Sequence, residues 1–367
     1  MKRLRRWIQT AAVLLGLLLY ASIPCLAAAP EPEGMEALRE LPPGAAEALE
    51  GISPVQADPE QGLAAVGDML RNRFDAALAE ALRPAAAVTA AALFCSLLSP
   101  LNLREAGRFD YIELSGCLAV AAASAGDIAH VLTVGGETVE ELADYGGTLL
   151  PLLTAVSAAS GAVSSAGAKY AAAALFSQLL VTASRELILP LICAFAAVSA
   201  AGAALGTGQL AGAAKLLRWC VSKTLLGLVL VFTAYLGFAG VLTTAADAAA
   251  VRAARAALST ALPIVGRALS EVSSSLVAGA ELLRASVGVF GMLAVLATAA
   301  LPALRLGLRY LALKLAAAAV SAFPLGRLAG LIDALGSVYG MLLGLVGTAG
   351  VLHFFAIVSL LRSVTSA

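Results

Sequence analysis

Residues 285–304 read ASVGVFGMLAVLATAALPAL and residues 334–361 read ALGSVYGMLLGLVGTAGVLHFFAIVSLL, with no Asp, Glu, Lys or Arg in either stretch. A helix needs about 20 apolar residues to cross the hydrocarbon of a bilayer, so each run is long enough for one crossing. Further charge-free runs lie at Pro84 to Leu103, Leu114 to Gly126, Tyr145 to Ala168, Tyr170 to Ser184, Leu187 to Ala214 and Thr224 to Ala246. Ala and Leu dominate them, and no period-two alternation persists over enough segments to build a barrel. Across the 367 residues, 60% are hydrophobic, 13% are charged and the mean hydropathy is +0.90. Soluble domains run at roughly 45–50% apolar. The reading is an all-α, polytopic helical membrane protein with about seven spans plus a possible re-entrant half-span within 170–206, where the run from Tyr170 is short for a crossing.

The chain begins like an exported protein. Lys2, Arg3, Arg5 and Arg6 precede an apolar core from about Ala11 to Tyr20 and a small-residue run, Ala27 to Ala29, before Pro30. That order predicts a signal peptide over 1–29, cleaved near Ala29. Residues 30–83 form an acidic polar segment, placed by the leader outside the cytoplasm. Eleven acids fall between Glu31 and Glu80, although the whole chain is neutral, with 24 basic and 24 acidic residues. Within this segment Leu63, Val66, Leu70, Phe74, Ala77 and Leu78 recur at helical spacing and predict one apolar stripe.

The remaining organisation follows from Lys and Arg, which favour the cytoplasmic side. Residues 84–243 form a first group of membrane helices, with Arg104, Arg108, Lys169, Lys215, Arg218 and Lys223 inside. An acidic loop from Gly135 to Gly146, carrying Glu137, Glu140, Glu141 and Asp144, lies outside. Residues 244–284 form an extracytoplasmic amphipathic segment of two short helices split at Pro263. Residues 285–367 hold the C-terminal membrane helices together with a basic interfacial helix, its Arg305, Arg309 and Lys314 snorkelling at the cytoplasmic leaflet.

Few constellations carry chemistry. Gly336, Gly340 and Gly344 recur four apart, a spacing that lets helix backbones approach in lipid, and they are read as a packing face. Asp127 and His130 are near neighbours on a helix and could exchange protons or simply satisfy each other. His353 stands alone in the last span, which favours packing over ligation. Gly206-Thr-Gly208 imitates a dinucleotide fingerprint in letters only, since no strand precedes it. Cys95, Cys117, Cys193 and Cys220 show no metal or disulfide spacing. No cofactor, metal or catalytic set is expected, so the chain reads as a non-enzyme. Nucleic acid is excluded as a partner because no basic face is interleaved with aromatics.

The C-terminal third carries a family resemblance: Pro263-Ile-Val-Gly-Arg267, Glu271, Val277-Ala-Gly-Ala280, Arg284, Gly288, Gly291, Pro302, Lys314-Leu-Ala-Ala-Ala318 and Pro324-Leu-Gly326. This run resembles the stage III sporulation protein AE family, with Arg284 and Arg305 standing where Lys is expected. The resemblance implies a multipass subunit of the mother-cell membrane around the forespore. It implies a secretion-like complex with ring-forming proteins, an ATPase-like subunit and a forespore-side partner, supporting forespore development and late gene expression. Arg267, Glu271, Glu281 and Arg284, too costly to sink unpaired in lipid, are expected at an extracytoplasmic partner interface. The competing class is a secondary transporter or permease for a small solute, which would need convergent polar groups at mid-membrane.

Overall fold

A computed structural model describes the backbone of residues 41–54, 57–98, 111–159, 163–206, 209–261 and 265–361, and the side chains of these except 98, 111–112, 163, 239–278 and 280. A short helix α1 (Pro43–Ala48) is followed by α2 (Pro59–Leu98), α3 (Tyr111–Ala159), α4 (Val163–Ala183), a π-helical turn at Ser184–Ile188, α5 (Leu189–Leu205), α6 (Gln209–Ala261), α7 (Val265–Val320) and α8 (Gly326–Leu361). Ala and Leu, the strongest helix formers, fill these segments, and the described residues contain no strand. The leader reading falls on residues 1–29, outside the described residues.

Six stretches among the described residues are long and apolar enough to cross a membrane: Pro59–Leu97, Glu113–Ala159, Ser164–Leu205, Gln209–Phe238, Glu281–Val320 and Gly326–Leu361. The chain is therefore a multi-pass helical membrane protein, with local departures from the sequence reading. The acidic loop from Gly135 to Gly146 is not a loop, since α3 runs through it without a break. Residues 170–206 hold no re-entrant half-span. α4 passes through the π turn directly into α5, whose second residue, Pro190, has no N–H to donate to the preceding turn, and the wider π turn accommodates that missing bond.

The helices alternate in direction. Glu113, at the start of α3, accepts a hydrogen bond from the Arg327 amide at the start of α8, and Gly206, after α5, lies against the Arg327 guanidinium. The start of α3, the end of α5 and the turn between α7 and α8 thus gather at one end of the bundle. At the opposite end Lys169 Nζ donates to the Ser359 carbonyl at 2.8 Å, and Gly288 lies against Leu361. Lys169, read from sequence as lying on the same side as Lys215, is therefore at the other end, buried against a carbonyl near the negative terminus of α8.

Helix α8 is the centre of the bundle. It packs most extensively on α7 and next on α3, and it also touches α4, α5 and α6. Its buried face includes Leu328, Leu335, Leu342, Leu345, Ala349 and Leu360. On α2 the pattern is reversed from a soluble helix: Ala77, Ala81, Ala85 and Ala92 face the bundle, whereas Leu82, Leu93, Phe94 and Leu97 face outward. Small residues allow close helix approach and large apolar ones suit lipid. The stripe read from sequence is correspondingly rotated, with Val66 and Ala77 buried but Leu63 and Phe74 exposed.

Candidate functional site

Four helices bring ionisable side chains to one level of the bundle. Arg309 of α7 is buried, with 10% of its side chain exposed, and its Nη1 donates to Asp127 Oδ1 of α3 at 2.7 Å. Its Nη2 donates to Glu80 Oε1 of α2, also at 2.7 Å. The Tyr339 hydroxyl of α8 donates to the second oxygen of Asp127, and the guanidinium lies 5.8 Å from the Tyr339 ring centroid. Arg305, one turn before Arg309, stands 4.0 Å from the second oxygen of Glu80. Two arginines against two carboxylates leave the cluster neutral.

Tyr339 lies 13 residues after Gly326, so the cluster sits about 20 Å along α8 from its start. That level falls within Gly326–Leu361, a stretch long and apolar enough to cross a membrane. A charge there is costly unless paired and hydrogen-bonded, and each group here has at least one partner. The chemistry available is mechanical: the fork of one guanidinium fixes the register of α2, α3 and α7, and Tyr339 ties α8 to them through Asp127.

Lesser bonds extend the pattern on either side. Toward the clustered turns, Lys314 Nζ donates to Asp333 Oδ1 at 2.6 Å and to Ser337 Oγ at 2.9 Å. Arg327 Nε lies 3.6 Å from Glu113. Toward the other end Arg185, in the π turn, bonds Glu140 of α3. His353 is buried, its Nδ1 2.9 Å from the Ala349 carbonyl and its Nε2 3.1 Å from Ser177 Oγ. Because a carbonyl only accepts, Nδ1 carries the proton and Nε2 accepts from the serine hydroxyl.

The residues singled out from sequence fall in different places. Arg305, Arg309 and Lys314 do not form a separate interfacial helix. They lie on the continuous α7, where Arg309 turns inward because Glu80 and Asp127 wait for it, and only Arg305 remains exposed. A Cβ on Gly340 would meet the Tyr310 ring at 3.0 Å, one on Gly336 would meet Leu313 at 3.4 Å, and one on Gly344 would meet Leu225 of α6 at 3.5 Å. The first two glycines thus face α7 and the third faces α6. Arg267 and Glu271 have side chains outside the described residues. Glu281 is exposed, but Arg284 is buried, so these two do not share an outward face.

Asp127 is not paired with His130, which is exposed; its partners come from α7 and α8. Sequence reasoning missed the exposed Glu80 and the buried Tyr339 and Glu113 as members of the inter-helix network. The one available signal was that each interrupts or adjoins an apolar run. Among the described residues no group of three or more His, Cys, Asp or Glu side chains could hold a metal ion.

Long apolar helices with outward-facing Leu and Phe, closed around a neutral ionic cluster, define a polytopic helical membrane protein whose interior charges serve one another. The chain matches the family model of stage III sporulation protein AE over residues 68–363 and belongs to that family. No curated protein and no solved structure matches it.

Proposed function

We propose that this protein is a non-enzymatic membrane subunit of a secretion-like sporulation complex in the mother-cell membrane around the forespore. In this reading it anchors ring-forming partners, an ATPase-like subunit and a forespore-side partner, and so supports late forespore gene expression. The observation that carries the reading is the family match across residues 68–363, joined to a bundle in which Arg309, Lys314 and Arg327 are all engaged by acids of the same chain. Groups committed to intramolecular pairing hold a shape, which is what an anchoring subunit requires.

The test is recovery of the intact assembly from membranes of sporulating cells through a tag on this chain. Partners that co-purify with the wild type, and depart with loss of late forespore reporter expression when the chain is deleted, support the proposal. Recovery of the chain by itself, with reporter expression unchanged on deletion, overturns it. An ionic cluster between long apolar helices is also what a small-solute transporter would show. Solute uptake by vesicles containing the purified chain, abolished by Arg309→Gln, would favour that second reading.

A further inference from the structure

At the end of the bundle where the turns gather, a cavity of about 540 Å³ opens between α5, the first turns of α6 and the first turns of α8. That volume lies within the ~300–1,000 Å³ typical of small-ligand sites. Its inner wall is apolar, from Phe195, Val198, Leu210 and Leu331, and Lys215, Arg218, Arg327 and Asp333 also line it.

The charges of this lining do not cancel. Arg327 faces Glu113 at 3.6 Å and Asp333 is taken by Lys314 at 2.6 Å. Lys215 and Arg218 have no ion-pair partner among the described residues, and both are exposed. They stand three apart on α6, so their heads share one face. An apolar wall beneath two uncommitted cations is matched by an anion that carries an apolar tail.

The surroundings indicate where such a ligand would come from. Trp219 follows Arg218 directly and is 57% exposed, and Leu205 and Leu216 nearby are exposed to a similar extent. Tryptophan settles at headgroup depth, and the leucines offer a path for hydrocarbon outside the protein. Basic pockets between membrane helices are suited to acidic headgroups.

We propose that this cavity binds the phosphate headgroup of an anionic phospholipid. The phosphate sits between Lys215 and Arg218, the glycerol region lies against Phe195 and Leu210, and the acyl chains run down past Leu216 and Trp219. The lipid would fill the space between α5, α6 and α8, and would hold the three together as an integral part of the bundle.

The experiment uses the full chain in nanodiscs of phosphatidylcholine doped with phosphatidylglycerol, with lipid retained after detergent exchange counted by native mass spectrometry. Wild type is expected to retain phosphatidylglycerol in excess of its bulk share. Lys215→Glu with Arg218→Glu should lower that retention at least about tenfold, since each surface cation attracts anionic lipid by about 1 kcal/mol. The charge-conserving pair Lys215→Arg and Arg218→Lys should keep it, which separates binding from folding. Lys223→Glu, on the same helix but outside the cavity, should also leave it unchanged. Equal retention by the double-Glu variant, or equal loss in Lys223→Glu, overturns the proposal. Displacement of the lipid by millimolar glycerol phosphate would assign the cavity to a soluble phosphate ester and would overturn it as well.

Discussion

Arg309 Nη1 and Asp127 Oδ1 meet at 2.7 Å across 182 residues of chain, joining α7 to α3. Removing the guanidinium leaves Asp127 without a cationic partner and Glu80 with only Arg305, 4.0 Å away. Arg309→Met is expected to destabilise the bundle by about 3 kcal/mol, the scale for a broken buried pair. Asp127→Asn should cost less, since Arg309 keeps Glu80. Thermal melting of the purified protein in a mild detergent checks the order; equal melting of both variants and wild type would show that the cluster contributes nothing to stability.

Gly340 is the tightest of the three glycines on the packing face. Gly340→Ala must push the Tyr310 ring by a few tenths of an ångström, and Gly340→Leu must displace it, at an expected cost of about 1–3 kcal/mol for overpacking. Gly344→Ala, whose added methyl would rest at ordinary contact on Leu225, should be nearly neutral. The comparison is read from melting temperature and from co-purification of partners. Matching losses at both positions would mean that side-chain bulk, rather than the Tyr310 contact, is what matters.

Gly206 ends α5 with a left-handed φ of +64°, and a Cβ there would fall 2.2 Å from the Arg327 guanidinium carbon. Gly206→Ala is therefore strained twice, by backbone and by contact. Its cost should reach at least about 1 kcal/mol and should be reduced when Arg327 is shortened to Ala in the same chain. A cycle of the two single variants and the double measures this coupling, and strictly additive losses would remove Arg327 from the explanation.

Six crossings make a direct statement about sidedness. In a chain freed of its native cysteines, single cysteines at Leu205 and Phe323 should react with an impermeant thiol reagent from one side of the membrane, and those at Glu50 and Ala159 from the other. A cysteine at Asp144, within the continuous α3, should not behave as a freely accessible loop. Reaction there as fast as at Ala159 would restore an additional turn.

Membrane character, helix content and family were all legible in the linear chain, because each depends on what a residue is and on its near neighbours. An uncharged run such as 334–361 is long and apolar enough for a crossing whatever surrounds it, and the family match runs along residues 68–363 of the linear sequence. The small-residue spacing on α8 was readable for the same reason, although which helix each glycine meets was not.

Only the tertiary structure decided where the charges belong. Read one residue at a time, Glu137 to Asp144, Arg185 and Arg309 break apolar runs and look like loops or a membrane surface, because an unpaired charge in lipid costs several kcal/mol. Paired across the bundle, Arg185 with Glu140 and Arg309 with Glu80 and Asp127, they leave the helices free to continue straight through. The cost of a buried ion is set by what stands opposite it, and the partners here lie 45 to 229 residues away in the chain, beyond the reach of any periodicity or local count.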